Sequence, residues 1–231
     1  MLRHSSWSGP CIVTDRIVIL GSGDHARVVY DALDRAGRAP EVLCFVNFAS
    51  EEDGVKYGWM GVTTYLSWAT FLKEVDGAFH SFVVALGDIG KRKRTFELAL
   101  EAGLQPTTVV HPSSIISIGA YVGAGSMVSA NCLIGVDARI GENCIVNSGA
   151  IVDHDCVVGS HSTIAPAATL AGRVTIEEMV MVGMGACVLD EVCIGSRSTV
   201  AAGAVVTGDV PSGVMIAGVP AIIKKKINTR A

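Results

Sequence analysis

Charge is scarce in this 231-residue chain: Asp, Glu, Lys and Arg together make up 17% of it, and aromatic residues only 6%. A formal net charge of −4 leaves no basic excess to attract nucleic acid, so no nucleic-acid partner is expected. No apolar run approaches the roughly 18–20 residues needed to span a bilayer, and no membrane association is expected. The opening MLRHSSWSGPCIVTD has no apolar stretch of the secretory kind and reads as a polar tail, residues 1–15. The seven cysteines are odd in number and form no CxxC pair, which argues against a disulfide framework and for a reducing, cytoplasmic setting.

What is abundant is glycine, 26 residues of it, in a chain that is half hydrophobic. From Ile116 every sixth residue is aliphatic: Val122, Val128, Ile134, Ile140, Val146, Val152, Val158, Ile164, Leu170, Ile176, Val182, Val188, Ile194, Val200 and Val206. At aliphatic frequencies near one in three, so long a run has chance odds of roughly one in tens of millions. Two residues before most of these stands a small residue, as at Ser126, Cys132, Ala138, Cys144, Ala150, Cys156 and Ser162. Neither a two-residue alternation nor a 3.6-residue helix produces this period. A triangular coil does, with three hexads per turn, the aliphatic residue inward and a small one beside it. Residues eighteen apart then stack, giving one buried ladder of Ile116, Ile134, Val152, Leu170, Val188 and Val206. Glycines after the aliphatic position, such as Gly123, Gly135, Gly141 and Gly159, are expected to relieve strain at corners. Cys132, Cys144 and Cys156 fall in the small inward slot and read as packed thiols rather than reactive ones.

The front half has another rhythm. Strands are expected over 16–20, 41–46, 81–86 and 107–110, with helices after the GSGDHA segment and over 66–75 and 91–102. Alternation of this kind indicates a small Rossmann-like parallel sheet. The expected divisions are a tail (1–15), a Rossmann-like domain (16–110), a β-helix (111–210) and a C-terminal tail packed on the β-helix (211–231).

Gly21-Ser22-Gly23-Asp24-His25-Ala26 fits G-x-G-x-x-[GA] between a strand and a helix. Such glycines let a phosphate approach the backbone and the helix N-terminus, although a tight turn without ligand has the same pattern. Asn47 stands where NAD sites place an acid, and the sheet lacks a second half for the nicotinamide; a mononucleotide or nucleotide-sugar fits better. Asp88, Lys91 and Arg92 follow the third strand at the carboxyl edge, either as ligand contacts or as a solvated helix start.

In the β-helix, His154 falls two residues past an inward Val, at a corner where its ring can leave the core and face a neighbouring subunit. Imidazole is mostly neutral yet still basic near pH 7, which suits a general base. Asp155 is placed either to orient His154 or to pair with Arg173, eighteen residues on. His161 reads as an exposed corner. His111, His154 and His161 do not stack, which argues against a histidine-bound metal of the β-helix carbonic anhydrase kind.

GSGDHARVV, FVVALGD, VVHPSSII, VNSGAIVDHDCVVG and AGVPA, in that order, resemble the NeuD/PglD family. It comprises sialic acid O-acetyltransferases and N-acetyltransferases of UDP- or GDP-linked amino sugars. The resemblance covers nearly the whole chain from Arg16. It implies a homotrimer of left-handed β-helices with active sites between subunits and acetyl-CoA as donor, without a metal. His154 matches the family's base and Asp155 its helper. The nucleotide-sugar is expected at Gly21, Ser22, Gly23, His25, Asn47, Asp88 and Arg92, with Asn147 near the sugar. Acetyl-CoA is expected at Thr163, Gly172, Met184 and Ala202. Three positions depart from the family pattern: Thr163 where a second histidine is common, Asn47 where an acid is common, and Ile89 where Asn is usual. The activity implied is N-acetylation of a nucleotide-linked amino-deoxy sugar in surface glycan synthesis. Sugar O-acetylation and a non-catalytic scaffold are the alternatives.

Overall fold

The computed structural model describes residues 16–48, 54–75 and 80–227; the tail expected over 1–15 lies outside them. The front half begins with β1 (Arg16–Leu20), α1 (Asp24–Arg35), β2 (Val42–Val46), β3 (Val55–Tyr57) and β4 (Thr63–Tyr65). It continues through α2 (Trp68–Glu74), β5 (His80–Val84), α3 (Ile89–Glu101) and β6 (Gln105–Pro106). The sheet order is β3-β4-β2-β1-β5-β6, parallel except for the β3–β4 pair. That antiparallel edge leaves no signal in the sequence, because three-residue strands carry too few side chains to show a period. Alternation along β1 divides the core. Ile17 and Ile19 pack with Val29 and Leu33 of α1, whereas Val18 and Leu20 face Phe71 of α2 and Phe96 of α3.

Two-residue strands from β7 (Val109–Val110) to β23 (Val205–Val206) then wind a left-handed parallel β-helix with three faces. The first face starts at β7, the second at β8 (Ile115–Ile116) and the third at β9 (Tyr121–Val122), each joined to strands eighteen residues on. The segment over 107–110 was expected to close the front sheet. Instead Val109 pairs with Met127 on the first face, because β6 already occupies the sheet edge beside β5. Val109 and Met127 also join the α1 side of the front core, so one apolar contact runs from domain to coil. At the far end, β24 (Val214–Gly218) extends the first face beside Thr199–Val200 and turns back antiparallel as β25 (Ala221–Lys226).

The ladder Ile134, Val152, Leu170, Val188 and Val206 is buried, but Ile116 is 38% exposed. Its strand ends the second face, so nothing stacks above it. The glycine explanation also needs correcting. The left-handed corner residues are not the glycines after the aliphatic position but the residues two further on, among them Asn131, Asp137, Asn143, Asp155, His161 and Arg173. Gly135 is required by proximity instead: a Cβ there would lie 2.6 Å from the Asp153 carbonyl carbon and the His154 nitrogen of the next turn. In the small slot, the thiols of Cys144 and Cys156 donate to the carbonyls of Gly159 (3.3 Å) and Ala171 (3.0 Å). The hydroxyls of Ser126 and Ser162 do the same with Gly141 (2.8 Å) and Glu177 (2.9 Å). A buried donor thus finds its acceptor fifteen residues ahead.

Candidate active site

The glycine loop leaves β1 with Gly21 at φ +135°, where a Cβ would also stand 2.7 Å from the Ala85 carbonyl oxygen. Only glycine meets both conditions. Gly23 caps α1 without a side-chain hydrogen bond and has open space where a Cβ would point. The Ala26 amide bonds back to the Gly23 carbonyl at 3.1 Å, which leaves the Asp24 and His25 amides for another acceptor. Beside the loop opens a cavity of about 640 Å³ lined by Gly21, Ser22, Gly23, Asn47, Phe48, Leu86, Lys91, Arg94, Thr95 and Leu98. Lys91, Arg94, Thr95 and Leu98 stand at the spacing of one helix face, a signal that would have added Arg94, Thr95 and Leu98 to Lys91 at the start. Phe48 stacks on Trp68 with ring centroids 5.0 Å apart, so the cavity combines a fixed aromatic plane with two cations.

Of the substrate contacts expected on the front domain, Asp88, Arg92 and His25 lie outside this lining. Asp88 caps α3, its carboxylate accepting from the Lys91 amide at 2.8 Å, which is the helix-start reading. Arg92 is fully buried between α3 and the coil, and its guanidinium does not line the cavity. It donates to the Asn143, His161 and Ser162 carbonyls and to Thr163 Oγ1 at 2.9 Å. Thr163, expected against acetyl-CoA, is thereby buried on the first face with its hydroxyl engaged from the front domain. His25 is half-buried beside this junction. Burial, and next the Arg92 charge, hold its imidazole down to about 4, so it is neutral near pH 7. His161 is a junction residue rather than an open corner, its Nδ1 lying 2.9 Å from Asn143 Nδ2 and its ring edge-on to Phe96.

At the corner between the second and third faces, His154 Nδ1 lies 2.8 Å from Asp155 Oδ2. The imidazole side chain is 45% exposed. Arg173 pairs with Glu191 at 2.9 Å, which settles the earlier alternative: Asp155 turns to His154. The positive φ of Asp155 (+57°) aims its carboxylate back along the chain, a conformation Asp tolerates. Gly172, one turn on, lies directly beneath the ring; a Cβ there would be 2.5 Å from His154 Cε1 and Nε2. With Nδ1–H donated to Asp155, Nε2 is the free acceptor.

Asn147 stands one corner away, between the first and second faces, its Oδ1 accepting from the Ser148 amide at 2.8 Å. Met184 and Ala202 share that corner one turn apart, both exposed, with the Gly203 amide bonded to the Met184 carbonyl at 2.8 Å. Gly185 and Gly203 follow them at left-handed φ of +62° and +67°. The expected site residues thus occupy separate places: a cavity on the front domain, an Asp–His corner, and the corner along the coil that carries Asn147, Met184 and Ala202. Among the described residues no group of His, Cys, Asp and Glu is arranged to hold a metal ion, and no helix is long and apolar enough to cross a membrane.

A sequence profile described as the PglD N-terminal domain matches residues 16–99, and one described as bacterial transferase hexapeptide (six repeats) matches residues 137–172. GDP-perosamine N-acetyltransferase from Caulobacter crescentus, solved with CoA and GDP-perosamine, is 34% identical at a TM-score of 0.83. The match covers 92% of this chain and 98% of that one. The acetyltransferase domain of PglB from Neisseria gonorrhoeae is 28% identical over 90% of this chain and 99% of that one, with a TM-score of 0.81. It has also been solved with acetyl coenzyme A. WeeI from Acinetobacter baumannii is 25% identical, covering 91% and 100%, at a TM-score of 0.79. No curated protein matches the chain.

Proposed function

The chain belongs to the NeuD/PglD-type sugar acetyltransferases, which take the acyl group from acetyl-CoA, and from that premise we propose that it acetylates the amino group of a nucleotide-linked amino-deoxy sugar with His154 as general base. The observation that carries this reading is the exposed Asp155–His154 pair, 2.8 Å across, whose Nε2 lies over Gly172 with no protein partner among the described residues. Nε2 takes the proton from the attacking amine as the N–C bond forms, the C–S bond breaks to release the thiolate of CoA, and the imidazolium then passes that proton to the sulfur. Asp155 keeps the proton on Nδ1 and stabilises the imidazolium that results. A thioester is already activated, so the protein supplies this one proton transfer and the orientation of two substrates, the latter worth up to about 7–11 kcal/mol.

The front cavity is the nucleotide-sugar site. The uncapped amides of α1, with Lys91 and Arg94, suit a diphosphate, and Phe48 offers a plane for the base. Nitrogen is favoured over oxygen as acceptor by the relative solved with GDP-perosamine, an N-acetyltransferase.

In one chain the front domain packs on the first face and on the corner between the third and first faces, whereas His154 stands between the second and third. A site that joins them is completed by a neighbouring copy, and a homotrimer with its seams at these corners satisfies that need. The outward row of the second face, with Ile115 at 60% exposure followed by Leu133 and Ile151, is an apolar surface for such a copy.

Thiol release from acetyl-CoA in the presence of UDP-, GDP- and dTDP-linked amino sugars tests the reading. One of them is expected to turn over, and His154→Ala to lower kcat by about 10²–10⁴-fold while still binding both substrates. Near-normal turnover in that variant would remove His154 from the base role.

A further inference from the structure

Among the described residues Arg92 is the largest fully buried side chain, and no carboxylate of theirs pairs with it. Asp88, the acid whose charge it feels, is turned to the Lys91 amide. All three guanidinium nitrogens are nonetheless engaged. Nε donates to the Asn143 carbonyl at 3.1 Å, and Nη1 to the carbonyls of Leu86 and Gly87 at 3.2 and 3.3 Å. Nη2 donates to the carbonyls of His161 (2.7 Å) and Ser162 (3.3 Å) and to Thr163 Oγ1. Burying a cation among carbonyls costs desolvation that an apolar residue of the same size avoids, so stability does not account for it. What the planar fork achieves is geometry, since its donor directions are fixed relative to one another.

Its two sets of acceptors belong to different parts of the site. Leu86 lines the front cavity, as do Lys91, Arg94, Thr95 and Leu98 on the helix that carries Arg92. His161, Ser162 and Thr163 belong to the same turn of the coil as His154, joined to it through the single strand Val157–Val158. We infer that Arg92 is a positioning residue that holds the nucleotide-sugar cavity level with the coil turn bearing the base. A rotation axis parallel to the coil leaves heights along it unchanged, so the alignment serves a base from the same chain or from a neighbour. Asn143 reinforces the bridge, its Nδ2 lying 3.4 Å from the Arg92 carbonyl and 2.9 Å from His161 Nδ1, while two further junction atoms, His25 Nε2 and Asn143 Oδ1, are buried without partners.

The inference rests on the acetyl-transfer reading, and the two fail differently: wild-type turnover tests that reading, whereas the ratio of variant to wild type tests this one. Arg92→Lys keeps the charge but not the fork, and Arg92→Met keeps the bulk alone. Measured well below their melting points, both are expected to lose about 10–100-fold in kcat, the effect of an ångström-scale misplacement. KM for acetyl-CoA should stay within about twofold, and Arg92→Lys should recover part of what Arg92→Met loses. A purely structural role would lower the melting temperature and leave kcat at the wild-type value, which overturns the proposal. Should neither variant fold, Thr163→Val removes one acceptor and leaves the carbonyls in place. A lower kcat at unchanged acetyl-CoA KM then supports the proposal, and an unchanged kcat overturns it.

Discussion

The shortest separations at the Asp155–His154 corner are those between the His154 ring and the place a Gly172 side chain would occupy. One hydrogen atom at that position leaves room for the Cε1–Nε2 edge of the imidazole against the next turn, while Asp155 reaches Nδ1. Gly172→Ala is therefore expected to swing the ring away and cut kcat by at least about tenfold. The φ of Gly172 is outside the left-handed region, so the backbone is not strained and the melting temperature should move little. Steady-state kinetics beside a thermal melt check this. A variant with wild-type kcat would mean that ring placement over Gly172 is not needed for turnover. The same contact shows why residues as different as Val136, His154, Gly172 and Asp190 succeed one another along one corner: each need only clear the residue eighteen places ahead.

At the level of the coil strand, two positions look alike in sequence but differ in tolerance. The slot filled by Cys132, Cys144 and Cys156 accepts any small side chain with a donor, because its partner is a carbonyl fifteen residues on. Cys144→Ser is expected to change stability by less than about 1 kcal/mol, since Ser126 and Ser162 already do the same work. Gly135→Ala places a methyl into the backbone of the next turn and should cost about 1–3 kcal/mol. Denaturant midpoints of the two variants decide the matter, and equal stability would mean that the turns separate more easily than their 2.7 Å Gly135 N to Val152 O hydrogen bond suggests.

On the scale of the whole molecule, the front cavity and the Asp155–His154 pair stand against different corners of one prism. If each site takes its base from one copy and its cavity from the next, two separately inactive proteins should complement each other. His154→Ala mixed with a Lys91→Glu, Arg94→Glu double variant is expected to recover roughly a quarter of wild-type activity, the chance that both halves of a site are intact in randomly mixed trimers. Mixed assemblies that form but stay inactive would place the whole site within a single chain.

A period of six, carried by sixteen aliphatic residues, was enough to specify the coil, its eighteen-residue register and the slot that hides three cysteines, because each rung repeats one local contact. The resemblance singled out His154 and Asp155 as a pair, and the glycine loop announced the cavity through its own backbone needs. Other features depended on packing between parts far apart in the chain. That Arg92 enters the junction while Lys91 and Arg94 face the cavity follows from how α3 lies on the coil. That Asp155 chooses His154 over Arg173 follows from a left-handed corner and from Glu191 one turn further on. Local repetition encodes the prism; which charged side chain is buried, and which is left free to act, was decided only when the two halves closed on each other.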